Sequence, residues 1–334
     1  MIKIDLITGF LGSGKTTFIK KYARHFMDQG QKVGILENDY GAVNVDMLLL
    51  NELRGDNCEL EMVAGACDAH CHARRFKTKL IAMAMSRYDR VIVEPSGIFD
   101  VDEFFDVLRD DPLERWYEIG NVIAIVDARL EDDLSEDSDF YLASQVANAG
   151  IILLSRTQLT DQAHIDATRA HLLRAAAAAS LKRPLDTLIE TKDWNAFTAE
   201  DFRKIAESGY QMTSYVKRLR GQEGDYSSIY FMELPITRTG LKERIETLMN
   251  SDSCGKVFRL KGFFREEDRW YEVNATRKEL EISPIPAGQQ VLIVIGENLQ
   301  EEAIKQIVAA DSDYYNRNTL GIKIDPSSLK TSGD

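Results

Sequence analysis

Gly9-Phe10-Leu11-Gly12-Ser13-Gly14-Lys15-Thr16 reads G-x-x-x-x-G-K-T, the pattern of a phosphate-binding loop. Its flanks have the right texture. Ile2-Lys3-Ile4-Asp5-Leu6-Ile7 before it is short and rich in β-branched residues, as a buried strand is. After it, the stretch from Thr17 to Gln29 places Phe18, Ile19, Tyr22 and Phe26 on one helical face, and Gly30 ends the pattern. The residue types follow from the chemistry. Gly9, Gly12 and Gly14 let successive backbone N–H groups turn inward around phosphate oxygens, and the helix N-terminus adds partial positive charge. Lys15 is expected to reach the β- and γ-phosphates, and the Thr16 hydroxyl to ligate Mg²⁺. Ser13 and Thr17 complete the expected nucleotide-binding set.

Further along, continuous apolar runs alternate with helical patterns. Val33–Leu36, Val91–Val93, Val122–Val126, Ile151–Leu154 and Thr187–Ile189 read as strands covered on both faces, as in a parallel sheet. Asp102–Leu108 and Asp161–Ala179 read as helices between them. Polar groups at the carboxyl ends of parallel strands collect where such sheets bind ligands. Glu37, Glu94, Asp127 and Ser155-Arg156-Thr157-Gln158 fall there.

Glu94-Pro95-Ser96-Gly97 closes its strand. An acidic residue so placed beside a phosphate loop holds Mg²⁺, directly or through water, or orients the attacking water. Gly97 is placed to donate its N–H to a γ-phosphate. Lys15 and Glu94 are therefore the expected catalytic pair. The plain alternative is a strand-end turn with a surface carboxylate.

Cys67-Asp68-Ala69-His70-Cys71-His72 is a second cluster of donors. The two thiols have zinc-pair spacing. On a helix, Cys67, His70 and Cys71 share one face. Thiolate and imidazole suit Zn²⁺, and also Co²⁺ or Ni²⁺. One short segment rarely closes a tetrahedral site. A remote ligand such as Glu37, Asp39 or Cys58 is then expected, or a site left open for transfer. The plain alternative is two buried thiols and two surface histidines.

From about residue 206 the texture changes. We expect a nucleotide-binding domain over 1–205, a linker over 206–228, a smaller α/β domain over 229–326 and a disordered tail over 327–334. Within the second domain, strand patterns cover Ile229–Leu234, Val257–Phe264, Trp270–Val273, Glu279–Ser283 and Val291–Ile295. Leu241–Met249 and Glu301–Ala309 read as helices.

The 334 residues suit about two domains. The net charge of -13 argues against general nucleic-acid or anionic-membrane binding. The acidic run Glu131–Asp139 reads as a solvated loop. No apolar run reaches the ~20 residues of a membrane span. The N-terminus starts in a strand, so no signal peptide is expected. Four cysteines are too few for a disulfide scaffold, and a reducing cytoplasm is the expected compartment.

Together these residues resemble the CobW-type family of phosphate-loop GTPases and metal chaperones. Five stretches carry the resemblance: Thr8–Thr17; Glu37-Asn38-Asp39-Tyr40-Gly41 with Val45-Asp46 and Leu48-Leu49; Glu94-Pro95-Ser96-Gly97; Val126-Asp127-Ala128; and Lys261-Gly262-Phe263 with Trp270 and Val291–Gly296. The resemblance implies an α/β chain in which a P-loop NTPase domain with a mainly parallel sheet precedes a smaller α/β domain. It implies GTP with Mg²⁺, slow hydrolysis, a Zn²⁺ or Co²⁺ cargo and a client metalloprotein. Three departures stand out. Ala66 follows Gly65 where the family has Gly-Cys-x-Cys-Cys, and Ala42 takes the place of a switch glutamate. Ser155, Arg156 and Gln158 stand where the family reads guanine with Asn/Thr-Lys-x-Asp. Gln158 offers a carbonyl but no charge, so another NTP stays open. Two rival readings are a nucleotide-binding regulatory or scaffold module without turnover, and a small-molecule kinase.

Overall fold

The computed structural model describes residues 1–38, 45–63, 69–95, 101–130, 134–213, 226–286, 288 and 290–309; at 45–46, 69–72, 102–103 and 226–227 it describes the backbone alone. The chain divides into two compact units.

The first unit is a parallel sheet of seven strands in the order β3-β2-β4-β1-β5-β6-β7. These are β1 (Ile2–Thr8), β2 (Val33–Asn38), β3 (Cys58–Val63), β4 (Arg90–Pro95), β5 (Tyr117–Asp127), β6 (Ile151–Ser155) and β7 (Ile189–Glu190). The helices are α1 (Lys15–Met27), α2 (Val45–Leu50), α3 (Ala69–Ala84), α4 (Val101–Arg109), α5 (Leu113–Trp116), α6 (Glu136–Val146), α7 (Gln162–Ala178) and α8 (Ala199–Ala206). Residues in β1, β2, β4 and β5 are buried in unbroken runs because helices cover both faces. On one face Phe18, Ile19, Tyr22 and Phe26 of α1 meet Ile7, Ile35, Ile92, Ile123 and Leu153. The helical stripe expected of α1 is the one that is buried.

Several elements differ from expectation. Thr187 and Leu188, read as strand, end a 3-10 turn over Leu185–Leu188, and β7 is Ile189–Glu190 alone. β3 was not anticipated. It lies at the sheet edge, and Glu59, Glu61 and Met62 are only partly buried, so it lacks a continuous apolar run. β2 runs on through Glu37 and Asn38, which the polar sequence suggests as a loop; both are buried, and they pair in register with Glu94 and Pro95. The second half of the acidic run is not a loop. Glu136, Asp137 and Asp139 form the first turn of α6, where carboxylates meet the positive end of the helix dipole. Ser135 caps that helix by accepting from the Ser138 N–H at 3.1 Å.

A buried polar cluster sits roughly 10 Å down β1 from the loop. β5 carries a bulge opposite Asp5. The bulge frees the Asn121 N–H, which donates to Asp5 Oδ1 at 2.9 Å. Asn121 Nδ2 donates to the same oxygen at 2.9 Å, and the Tyr22 hydroxyl donates to Asp5 Oδ2 at 2.9 Å. Arg90 pairs with that carboxylate and lies 4.2 Å from the Phe26 ring centroid. Burial and the Asp5 charge raise the Tyr22 pKa well above its ordinary value.

The second unit is an antiparallel sheet in the order β11-β10-β9-β12-β8. Its strands are β8 (Tyr226–Met232), β9 (Lys256–Glu266), β10 (Arg269–Ala275), β11 (Leu280–Ile285) and β12 (Val291–Glu297). Helices α9 (Arg238–Met249) and α10 (Glu301–Val308) bury Leu241, Ile245, Leu248, Ile304 and Val308 against Leu260, Phe264, Val273, Leu292 and Val294. Among the described residues no helix is long and apolar enough to cross a membrane.

Candidate functional site

The loop joins the carboxyl end of the central strand β1 to α1, where an open parallel sheet presents its ligand crevice. Gly9 has φ +148°, and a Cβ there would lie 2.4 Å from the Ile125 carbonyl oxygen. Only glycine fits so close to the neighbouring strand. Gly14 has φ +99° and stands at the N-cap of α1. No side chain caps that helix and no acid occupies its first turn, which suits an anion at its positive end. The Ser13 hydroxyl is buried and has no hydrogen-bond partner among the described residues. Each feature fits a phosphate.

The functional side chains are held in place. Lys15 is buried and donates from Nζ to the Gly9 carbonyl at 3.0 Å. The Thr16 hydroxyl donates to Glu94 Oε1 at 3.0 Å. Glu37 and Glu94 are register partners on adjacent strands and both are buried. The structure thus brings Lys15, Thr16, Glu94 and Glu37 to one end of the sheet. Hydroxyl and carboxylate oxygens in contact are hard donors of the kind Mg²⁺ takes. Thr17 is exposed.

At the other rim of the loop, Arg156 has φ +57° and turns its guanidinium back over the glycines. Its Nη1 donates to the Gly12 carbonyl at 2.9 Å and to Asp127 Oδ2 at 2.8 Å. Arg129 shares Asp127, with Nε 3.4 Å from Oδ1. Ser155 is buried, and its hydroxyl donates to the Val126 carbonyl at 3.4 Å. Gln158 is exposed. A Cβ on Gly14 would lie 3.6 Å from Ser155 Cβ and 3.8 Å from the Trp194 ring edge, so these two side chains wall the loop. The spacing of β7 gives no sign of Trp194. No local pattern points to Gln145 either, which reaches the loop from α6: Gly9 N–H donates to its Oε1 at 3.2 Å.

The sequence-predicted metal residues are only partly placed. His70 and Cys71 fall in the first turn of α3, with their side chains outside the description. Cys67, Gly97, Asp39 and Ala42 lie outside the described residues. Cys58 is buried in the core as a free thiol; burial, and then Glu59, push its pKa up to about 11. Among the described residues no three His, Cys, Asp or Glu side chains converge on a metal position.

Residues 3–181 match the model of the CobW/HypB/UreG nucleotide-binding domain. Residues 227–310 match the cobalamin synthesis protein cobW C-terminal domain. Among curated proteins, the zinc chaperone YjiA of Escherichia coli K12 is 26% identical, over 92% of this chain and 98% of its own. The zinc chaperone YeiR of the same organism is 30% identical over 48% of each chain, so that match spans about half of either protein. Zinc-regulated GTPase metalloprotein activator 1 of Schizosaccharomyces pombe is 21% identical, over 89% of this chain and 83% of its own.

Proposed function

This chain belongs to the CobW/HypB/UreG family, and from that premise we propose that it is a GTP-dependent zinc chaperone. It would bind nucleotide and hydrolyse it slowly. The change of nucleotide state would govern delivery of Zn²⁺ to a client metalloprotein in the cytoplasm. The names of YjiA, YeiR and the metalloprotein activator support zinc as cargo. Co²⁺ stays a secondary cargo on donor chemistry alone.

One observation carries the reading: the Thr16–Glu94 contact directly under a loop whose helix N-terminus is uncapped. Those two oxygens would hold Mg²⁺, which neutralises phosphate charge when bound. In the proposed roles, Gly9, Gly12, Ser13, Gly14 and Thr17 cradle the phosphates and Lys15 reaches the terminal ones. Glu94 orients the attacking water, and Gly97 reports the γ-phosphate. Ser155, Arg156 and Gln158 flank the base, and an uncharged Gln158 favours GTP less strongly than a carboxylate would. Cys67, His70 and Cys71, with Glu37, form the proposed transition-metal site.

The test is a titration of the protein with GTP, ATP and their diphosphates, followed by phosphate release without any acceptor. Tight GTP binding with slow release is expected, and Lys15→Ala should lower both at least tenfold. Unchanged binding and turnover in Lys15→Ala would remove the proposal's core. Binding without turnover would favour the regulatory module, and release only with an added acceptor would favour a kinase.

A further inference from the structure

Gln145 lies in the last turn of α6 and is 1% exposed. It is separated from the loop by 136 residues of chain, yet its Oε1 accepts from the Gly9 N–H at 3.2 Å and also from the Thr8 hydroxyl. The backbone N–H can only donate, so the oxygen of the amide must face the loop. Gly9 is where the loop leaves β1. Its carbonyl is taken by Lys15 and its back is pressed on the Ile125 carbonyl. Its N–H direction sets how the following peptides face the ligand, and Gln145 alone holds that N–H among the described residues.

We propose that Gln145 is a positioning residue for the phosphate loop: through the Gly9 N–H it fixes the first peptide of the phosphate cradle, and with it affinity for a nucleoside di- or triphosphate. The acceptor is neutral. It orients the peptide without placing a negative charge beside the phosphates. It is also buried, in the last turn of α6. This rests on the nucleotide-binding reading above.

Three proteins are titrated with fluorescent GDP and GTP: wild type, Gln145→Met and Leu142→Val. Methionine fills nearly the same volume as glutamine but accepts no strong hydrogen bond. Leu142 is fully buried in the same helix, so Leu142→Val loosens the packing of α6 without removing the contact to Gly9. Gln145→Met is expected to raise Kd on the order of tenfold, as one lost hydrogen bond to a preorganised loop would. Leu142→Val is expected to lower Tm yet leave Kd within twofold. Wild-type affinity in Gln145→Met overturns the proposal, as does an equal rise in both variants, which would make packing the cause. Absence of binding by wild type overturns the nucleotide reading itself. If Gln145→Met does not fold, amide exchange on nucleotide-free wild type decides: a protected Gly9 N–H supports the contact, and exchange at the free rate overturns it.

Discussion

A carboxylate and a thiol illustrate how burial sets what a side chain can do. Glu94 is buried at the end of β4 against the Thr16 hydroxyl, 3.0 Å away, facing the loop. Glu94→Gln keeps the shape and the hydrogen bond but loses the charge. Phosphate release should fall by on the order of 100-fold while nucleotide still binds, measured by single-turnover hydrolysis beside a binding titration. A parallel loss of binding would assign Glu94 to affinity instead. Cys58 shows burial acting on a thiol. Its folded-state pKa of about 11 lies above the ordinary 9.0. The unfolded chain therefore gives up this proton first as pH rises. Below pH 9 both states hold it and stability is unaffected. Between about 9 and 11 stability should fall, by about 2 to 3 kcal/mol in total, and then level off. Denaturant midpoints of wild type and Cys58→Ala across that range check the sign: the variant should lose less.

At the level of elements, the loop is positioned by three others. α6 takes the Gly9 N–H, the turn after β6 takes the Gly12 carbonyl through Arg156, and β4 takes the Thr16 hydroxyl. The same economy of partners appears where β1, β4, β5 and α1 meet at Asp5. Asp5→Ala would leave the Arg90 guanidinium buried without its carboxylate and the bulge N–H of Asn121 unsatisfied. A loss of about 3 to 5 kcal/mol is expected, read as a lower urea midpoint. Asp5→Asn should cost less, since an amide oxygen still accepts from the bulge. Equal midpoints for Asp5→Ala and wild type would show the cluster to be energetically idle.

For the molecule as a whole, the metal claim is the most exposed. Protein purified without chelator should carry close to one equivalent of zinc, and Cys67→Ser/Cys71→Ser should carry far less. Equal metal content by elemental analysis would discard that site. How much was legible in the sequence follows physical lines. The phosphate loop was, because its chemistry is packed into eight consecutive residues. So were the interior strands, whose two covered faces leave an uninterrupted apolar run. β3 was not: Glu59 and Glu61 interrupt Cys58-Glu59-Leu60-Glu61-Met62-Val63 because an edge strand is half wet. Glu37 and Asn38 looked like a loop because polarity is a poor guide at strand ends that face a ligand. Gln145 was silent for a different reason. A lone glutamine on a helix carries no pattern, and its partner lies far away in the chain.

The Asp5 cluster and the phosphate loop share β1 but stand at different heights on it. One buried polar cluster is thereby kept apart from the loop. Residues around the glycines can then be exchanged without touching that cluster. The arrangement favours drift in what is bound over drift in whether the chain folds. Scored separately for growth under zinc limitation and for protein abundance, a saturation library should resolve into two populations. Variants near Asp5 should lose both scores, and polar replacements of Lys15 or Thr16 only the first.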